Sequence, residues 1–135
     1  MSEFKSRGAE IVAISTDSQH SHKAWIETPR NQGGIEGVKY PVLADFTKNT
    51  AAVYGVLEEG VGVALRGLFL IDPQGIIQAE MVNNLAIGRS VNEVIRLIDA
   101  FQAHAKDGVV CPIDWTKEDE PIKPSKAADW FAKHG

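Results

Sequence analysis

Apolar and polar positions alternate along the chain in a way that separates strands from helices almost from the first residue. Phe4, Lys5 and Arg7 before Gly8 match the last turn and cap of a helix. Residues 9–15 form a β-branched, mostly apolar run, which predicts a parallel strand covered on both faces. Thr16-Asp17-Ser18 supplies N-cap oxygens for a helix through Ala24, Trp25 and Ile26 to Thr28, where Pro29 stops it. A glycine-rich loop over 31–37 leads to a short strand over 40–43, and 47–54 predicts a short helix closed by Gly55. The runs 64–71 and 76–82 flank Asp72-Pro73-Gln74-Gly75 and predict an antiparallel hairpin.

Ser90-Val91-Asn92-Glu93 is a capping box, and Val91, Val94, Ile95, Ile98 and Phe101 share one face of a helix over 90–106 that Lys106 and Gly108 end. Beyond it, Pro112, Pro121 and Pro124 with the charged run 117–120 predict an extended arm rather than core, with a last short helix over 125–134. The expected organisation is a core over 1–106 and an arm over 107–135. A parallel pair on one side and an antiparallel hairpin on the other predict an α/β sandwich of thioredoxin type.

Composition narrows the function classes. The 135 residues are 44% apolar and 24% charged, an ordinary globular balance that argues against disorder. Fourteen Lys+Arg against 18 Asp+Glu give a formal charge of −4, without the basic cluster that nucleic-acid binding needs or a basic amphipathic stretch for a membrane surface. The longest apolar stretch, 61–71, is broken by Arg66 and falls short of the roughly 20 residues that span a bilayer. No hydrophobic region follows the first five residues, so the expectation is a cytoplasmic protein. The single cysteine, Cys111, excludes an intrachain disulfide and a Cys-based metal cluster, so its thiol chemistry involves another molecule.

Most motif candidates dissolve on inspection. Gly60-Val61-Gly62 lacks the third glycine and following helix of a dinucleotide loop, and Gly33-Gly34 lacks the Lys-Ser/Thr of a phosphate loop. His20 and His22 point to different helix faces without a completing ligand, and Asp17 has no serine in a tight glycine elbow. Three residues keep two readings each. Arg66, inside an apolar run, either snorkels from a strand end or stabilises an anion or thiolate, with Gly67 leaving room for approach. Arg89 is a surface cation beside the Ser90 cap, or serves the same anion. Cys111, on the arm, is an incidental free thiol or one exposed for thiol–disulfide exchange. Trp130-Phe131 predicts a hydrophobic patch that docks the tail.

Taken together, these stretches resemble a known family. The runs 12–18, His22 to Trp25, Thr28-Pro29-Arg30, Gln32-Gly33-Gly34-Ile35, 66–72, Val82-Asn83 with Leu85, Gly88-Arg89-Ser90-Val91 and Val110-Cys111-Pro112 are similar, in order, to the typical 2-Cys peroxiredoxins. That family includes thioredoxin peroxidase and the peroxidase component of alkyl hydroperoxide reductase. The resemblance implies a thioredoxin-like fold and thiol-dependent reduction of hydroperoxides without a cofactor. It makes Cys111 the resolving cysteine, which attacks the sulfenic acid of a partner subunit to form an intersubunit disulfide, later reduced by thioredoxin or a flavoprotein reductase. It makes Arg66 the stabiliser of thiolate and peroxide, with Arg89 in support. A homodimer follows, with a ring of dimers left open.

Gly33-Gly34-Ile35 and Trp130-Phe131 resemble the family's GGLG and YF elements, although Glu36 stands at the last glycine and Trp130 at the tyrosine. His20, Asn84 and Ala86 are further departures, at positions where Phe, Asp and Pro are usual. The family's peroxidatic segment, Pro-x-x-x-Thr/Ser-x-x-Cys, is absent from these residues. The chain is therefore expected to be N-terminally truncated, with a gap in its sheet between 9–15 and 64–71 where the family has another strand. The alternative expectation is a non-catalytic module that assembles with a full-length relative.

Overall fold

The computed structural model describes all of residues 1–135, which divide into two compact units, Met1–Arg89 and Ser90–Gly135. The first unit opens on the short helix α1 (Ser2–Lys5), with Gly8 at φ 65° turning the chain toward β1 (Ala13–Ser15). Helix α2 (Gln19–Glu27) starts at Ser18, whose hydroxyl accepts the Ser21 amide, and gives out at Thr28 before Pro29. A 3-10 turn at Arg30–Gln32 and Gly33 at φ 85° bring the chain to β2 (Val42–Ala44), which pairs in parallel with β1, Ile14 opposite Leu43.

Helix α3 (Asn49–Val53) is nucleated by Asp45, whose carboxylate accepts the Thr50 and Ala51 amides at 3.0 and 2.7 Å. Two very short strands, β3 (Leu57–Glu58) and β4 (Val63–Ala64), form a hairpin across Gly60 and Gly62 that the sequence did not signal, because two residues cannot show an alternation. The hairpin of β5 (Arg66–Ile71) and β6 (Ile77–Asn83) forms as expected, its turn tied by Asp72 accepting the Gln74 and Ile76 amides.

Residues 9–15 differ from expectation. Only three of them are strand, and Val12 and Ile14 are 53% and 46% exposed rather than covered on both faces. The reason is that β1 is paired along one edge only. No ladder joins the β1–β2 pair to the β5–β6 pair, which is the gap expected between 9–15 and 64–71.

The second unit begins with α4 (Val91–Asp107), capped by the Ser90 hydroxyl on the Glu93 amide and closed by Gly108 at φ 64°. Beyond it the expected extended arm is instead folded. Val110 and Ile122 pair as an antiparallel bridge, exchanging two backbone hydrogen bonds of 2.8 Å. Val109, Trp115 and Ile122 are buried, as are Val94 and Ile98 of α4. Prolines interrupt the periodicity of this segment without preventing it from forming a core. A 3-10 turn at Pro124–Lys126 leads into α5 (Ala127–His134).

Candidate functional site

Arg66 and Arg89 converge in the first unit. Arg66 opens β5, is exposed, and donates from Nε to the Leu85 carbonyl at 3.0 Å. Arg89 donates from Nη1 to the Gly67 carbonyl at 2.8 Å, and the Asn83 amide donates to Gly88 O at 2.8 Å. The loop after β6 is thereby stitched to the start of β5, and both guanidinium groups sit at this seam. The Arg66 bond uses Nε, which leaves its terminal nitrogens outside that bond. Of the two readings open for Arg66, the structure shows the strand-end position, and Arg89 bonds the carbonyl of the next residue, Gly67. Gly67 does not leave open room as expected. A Cβ there would meet Phe69 Cε2 at 3.0 Å and Val56 Cγ1 at 3.1 Å, so the glycine serves packing under the ring that stacks edge-on with Tyr54.

Cys111 belongs to the second unit. It follows Val110 of the bridge and is half-buried, not exposed on a free arm. Its Sγ–H donates to the Ala100 carbonyl of α4 at 3.7 Å. Burial pushes the thiol up from its ordinary value, and the positive charge of Arg96 pulls the other way. The sequence missed both points, because a proline-rich segment carries no pattern that reports packing.

Arg96 was also missed, although its spacing from Glu93 was readable. Its Nε and Nη2 donate to Glu93 Oε2 and Oε1, both at 2.7 Å, and Nη1 donates to the Trp115 carbonyl at 3.1 Å. The Trp130 and Phe131 rings meet edge-on with centroids 5.4 Å apart. Trp130 donates to Glu120 O and stacks on His134, with Lys133 bridging to Glu120, whereas Phe131 is exposed. In the first unit, Asp17 meets Ser15 rather than a histidine. The Ser15 hydroxyl donates to Asp17 at 2.9 Å, so the 2.5 Å contact with buried His22 is a donation from its Nε2–H, which leaves Nδ1 buried without a donor.

The model of the AhpC/TSA family matches residues 1–80. This chain belongs to the AhpC/TSA family of peroxiredoxins. A second model, the C-terminal domain of 1-Cys peroxiredoxin, matches residues 100–130 and so contains Cys111. Peroxiredoxin tpx1 of Schizosaccharomyces pombe is 47% identical over 133 residues, covering 98% of this chain and 69% of the relative. The human mitochondrial thioredoxin-dependent peroxide reductase is 50% identical over 133 residues, but the chain spans only 52% of its length. Among solved structures, the reduced 2-Cys peroxiredoxin of Plasmodium vivax superposes with a TM-score of 0.92 at 44% identity, over 97% of this chain and 68% of that one. The peroxiredoxin chain thus has the thioredoxin-like mixed α/β fold its sequence predicted. No helix of it is long and apolar enough to cross a membrane.

Proposed function

We propose that this peroxiredoxin chain supplies the resolving thiol for thiol-dependent reduction of hydrogen peroxide and organic hydroperoxides. The observation that carries the reading is Cys111: the single thiol of the chain, unpaired, held on α4 inside the segment that the family's C-terminal model matches. A partner subunit's peroxidatic thiolate attacks a peroxide oxygen, displaces alkoxide or hydroxide and becomes a sulfenic acid. Cys111 then attacks that sulfur. The S–O bond breaks as the S–S bond forms, and the hydroxide leaves as water with the proton from the Cys111 thiol. Thioredoxin or a flavoprotein reductase returns two electrons and restores both thiols.

Arg66 and Arg89 belong to the first step, where negative charge develops on the leaving oxygen and a fixed guanidinium offsets it. Their convergence on the β5–β6 seam supports a shared role. In this reading the Ser90–Gly135 unit, rather than a free arm over 107–135 on a core over 1–106, presents Cys111 to a second subunit that carries the peroxidatic cysteine, so the assembly is a dimer of peroxiredoxin subunits or a ring of such dimers. A lone unpaired cysteine suits a reducing compartment, and the reading places the protein in the cytoplasm.

Peroxide consumption tests the proposal. With dithiothreitol, the 135-residue chain turns over peroxide no faster than its Cys111→Ser variant. Mixed with a full-length relative whose resolving cysteine is replaced by serine, it raises thioredoxin-dependent turnover, and Cys111→Ser does not. Turnover by the chain alone above the serine control, or no gain on mixing, contradicts the reading.

A further inference from the structure

Cys111 must ionise to attack, and its burial opposes that. The surroundings contain a cation fixed from several sides. Arg96 lies on α4 four residues before Ala100, the residue whose carbonyl receives the Cys111 thiol, so the two share one helix face. Glu93 grips the guanidinium with both carboxylate oxygens, and the remaining terminal nitrogen reaches the Trp115 carbonyl. Trp115 is only 4% exposed, and its indole N–H is bound to the Asp119 carbonyl. The loop from Cys111 to Trp115 is therefore tied to the same face of α4 at both ends, at Ala100 and at Arg96.

We propose that Arg96 is a positioning residue for Cys111: its clamped guanidinium holds the 111–115 loop on α4 and stabilises the thiolate from which Cys111 attacks. The inference rests on the assignment of Cys111 as the resolving thiol. Arg96 attracts charge from several directions, from Glu93 on its own helix and from Asp114 and Cys111 on the loop. Glu93 is held below the usual carboxylate range by its hydrogen bond to Arg96, so it stays ionised and keeps the clamp closed at neutral pH. This arrangement fits a thiol that rests protonated, with the Arg96 charge favouring the thiolate fraction that attacks.

The test is the rate at which the chain's Cys111 thiolate displaces an aromatic thiolate from an aromatic disulfide, giving one mixed disulfide and one free aromatic thiolate. At neutral pH, Arg96→Gln slows this reaction about three- to tenfold and moves its pH midpoint upward. Arg96→Lys keeps the charge and returns the midpoint toward that of the parent chain. Raised salt narrows the difference between the parent and Arg96→Gln. An unchanged midpoint in Arg96→Gln overturns the proposal. So does an equal defect in Arg96→Lys, because the loss would then owe nothing to charge. The small disulfide needs no partner subunit. An intact Arg96 effect without any intersubunit disulfide would therefore overturn only the resolving assignment.

Discussion

Gly34 is the position where one methyl group does most damage. A Cβ there would stand 1.9 Å from the Thr28 carbonyl oxygen and 2.4 Å from its carbon, both backbone atoms of the strap between α2 and the glycine loop. Gly34→Ala should cost on the order of 2 kcal/mol or more in urea unfolding, because backbone must move to admit it. Asp114 is the opposite case. It holds φ 56° without being glycine, so Asp114→Gly should raise unfolding stability by about 0.5 to 1 kcal/mol. Asp45 links the fold to pH. Its burial works to raise its pKa, but the Ala51 and Thr50 amides, the Thr50 side chain and Lys48 together hold it below the ordinary carboxylate value. A lowered folded value means that its stabilisation is full above the unfolded-state value near pH 4 and fades as pH falls through the folded one. Asp45→Asn should flatten this acid limb of the stability curve, as followed by circular dichroism.

These residue-level facts were unevenly legible. Ser18 and Ser90 were readable as caps because a cap and its amide lie within three residues of each other. Arg66 was readable as unusual, but its partner, Leu85 O, lies 19 residues away, and only the hairpin register brings Asn83 and the loop beyond it opposite Arg66.

At the scale of elements, α4 and the β5–β6 hairpin were written most plainly, since each carries its own periodicity and its own stop signals. Ser90→Ala removes the oxygen that receives the Glu93 amide and should lower stability by about 1 kcal/mol, seen as an earlier loss of helical signal on heating. The strand at 9–15 was readable as apolar, yet its length was not, because a strand extends only as far as its neighbour pairs with it. β1 has β2 on one edge, in register over Ala13, Ile14 and Ser15, and stops there. The segment after Gly108 failed for a different reason. Val109, Trp115 and Ile122 bury themselves at irregular spacing, and neither the helical nor the strand period registers such a set.

For the molecule as a whole, the family is legible in motif order even where packing is not. The structure adds that Cys111 is half-buried and donates to the Ala100 carbonyl of α4. It also leaves large apolar side chains of both units in solvent, among them Val12, Ile14 and Leu43 in the first and Ile113, at 91% exposure, beside Cys111 in the second. Such surface predicts association, so sedimentation should show the chain becoming heavier with concentration, and a strictly monomeric chain would count against a subunit role.

The most direct measurement is to map the disulfide itself. The chain is mixed with a full-length relative whose resolving cysteine is serine, treated with stoichiometric hydrogen peroxide, alkylated and digested for mass spectrometry. The account predicts a peptide containing Cys111 joined to the relative's peroxidatic cysteine, reversed by dithiothreitol and absent with Cys111→Ser. Oxidation of the relative to its sulfenic or sulfinic acid while Cys111 stays a free thiol would contradict it.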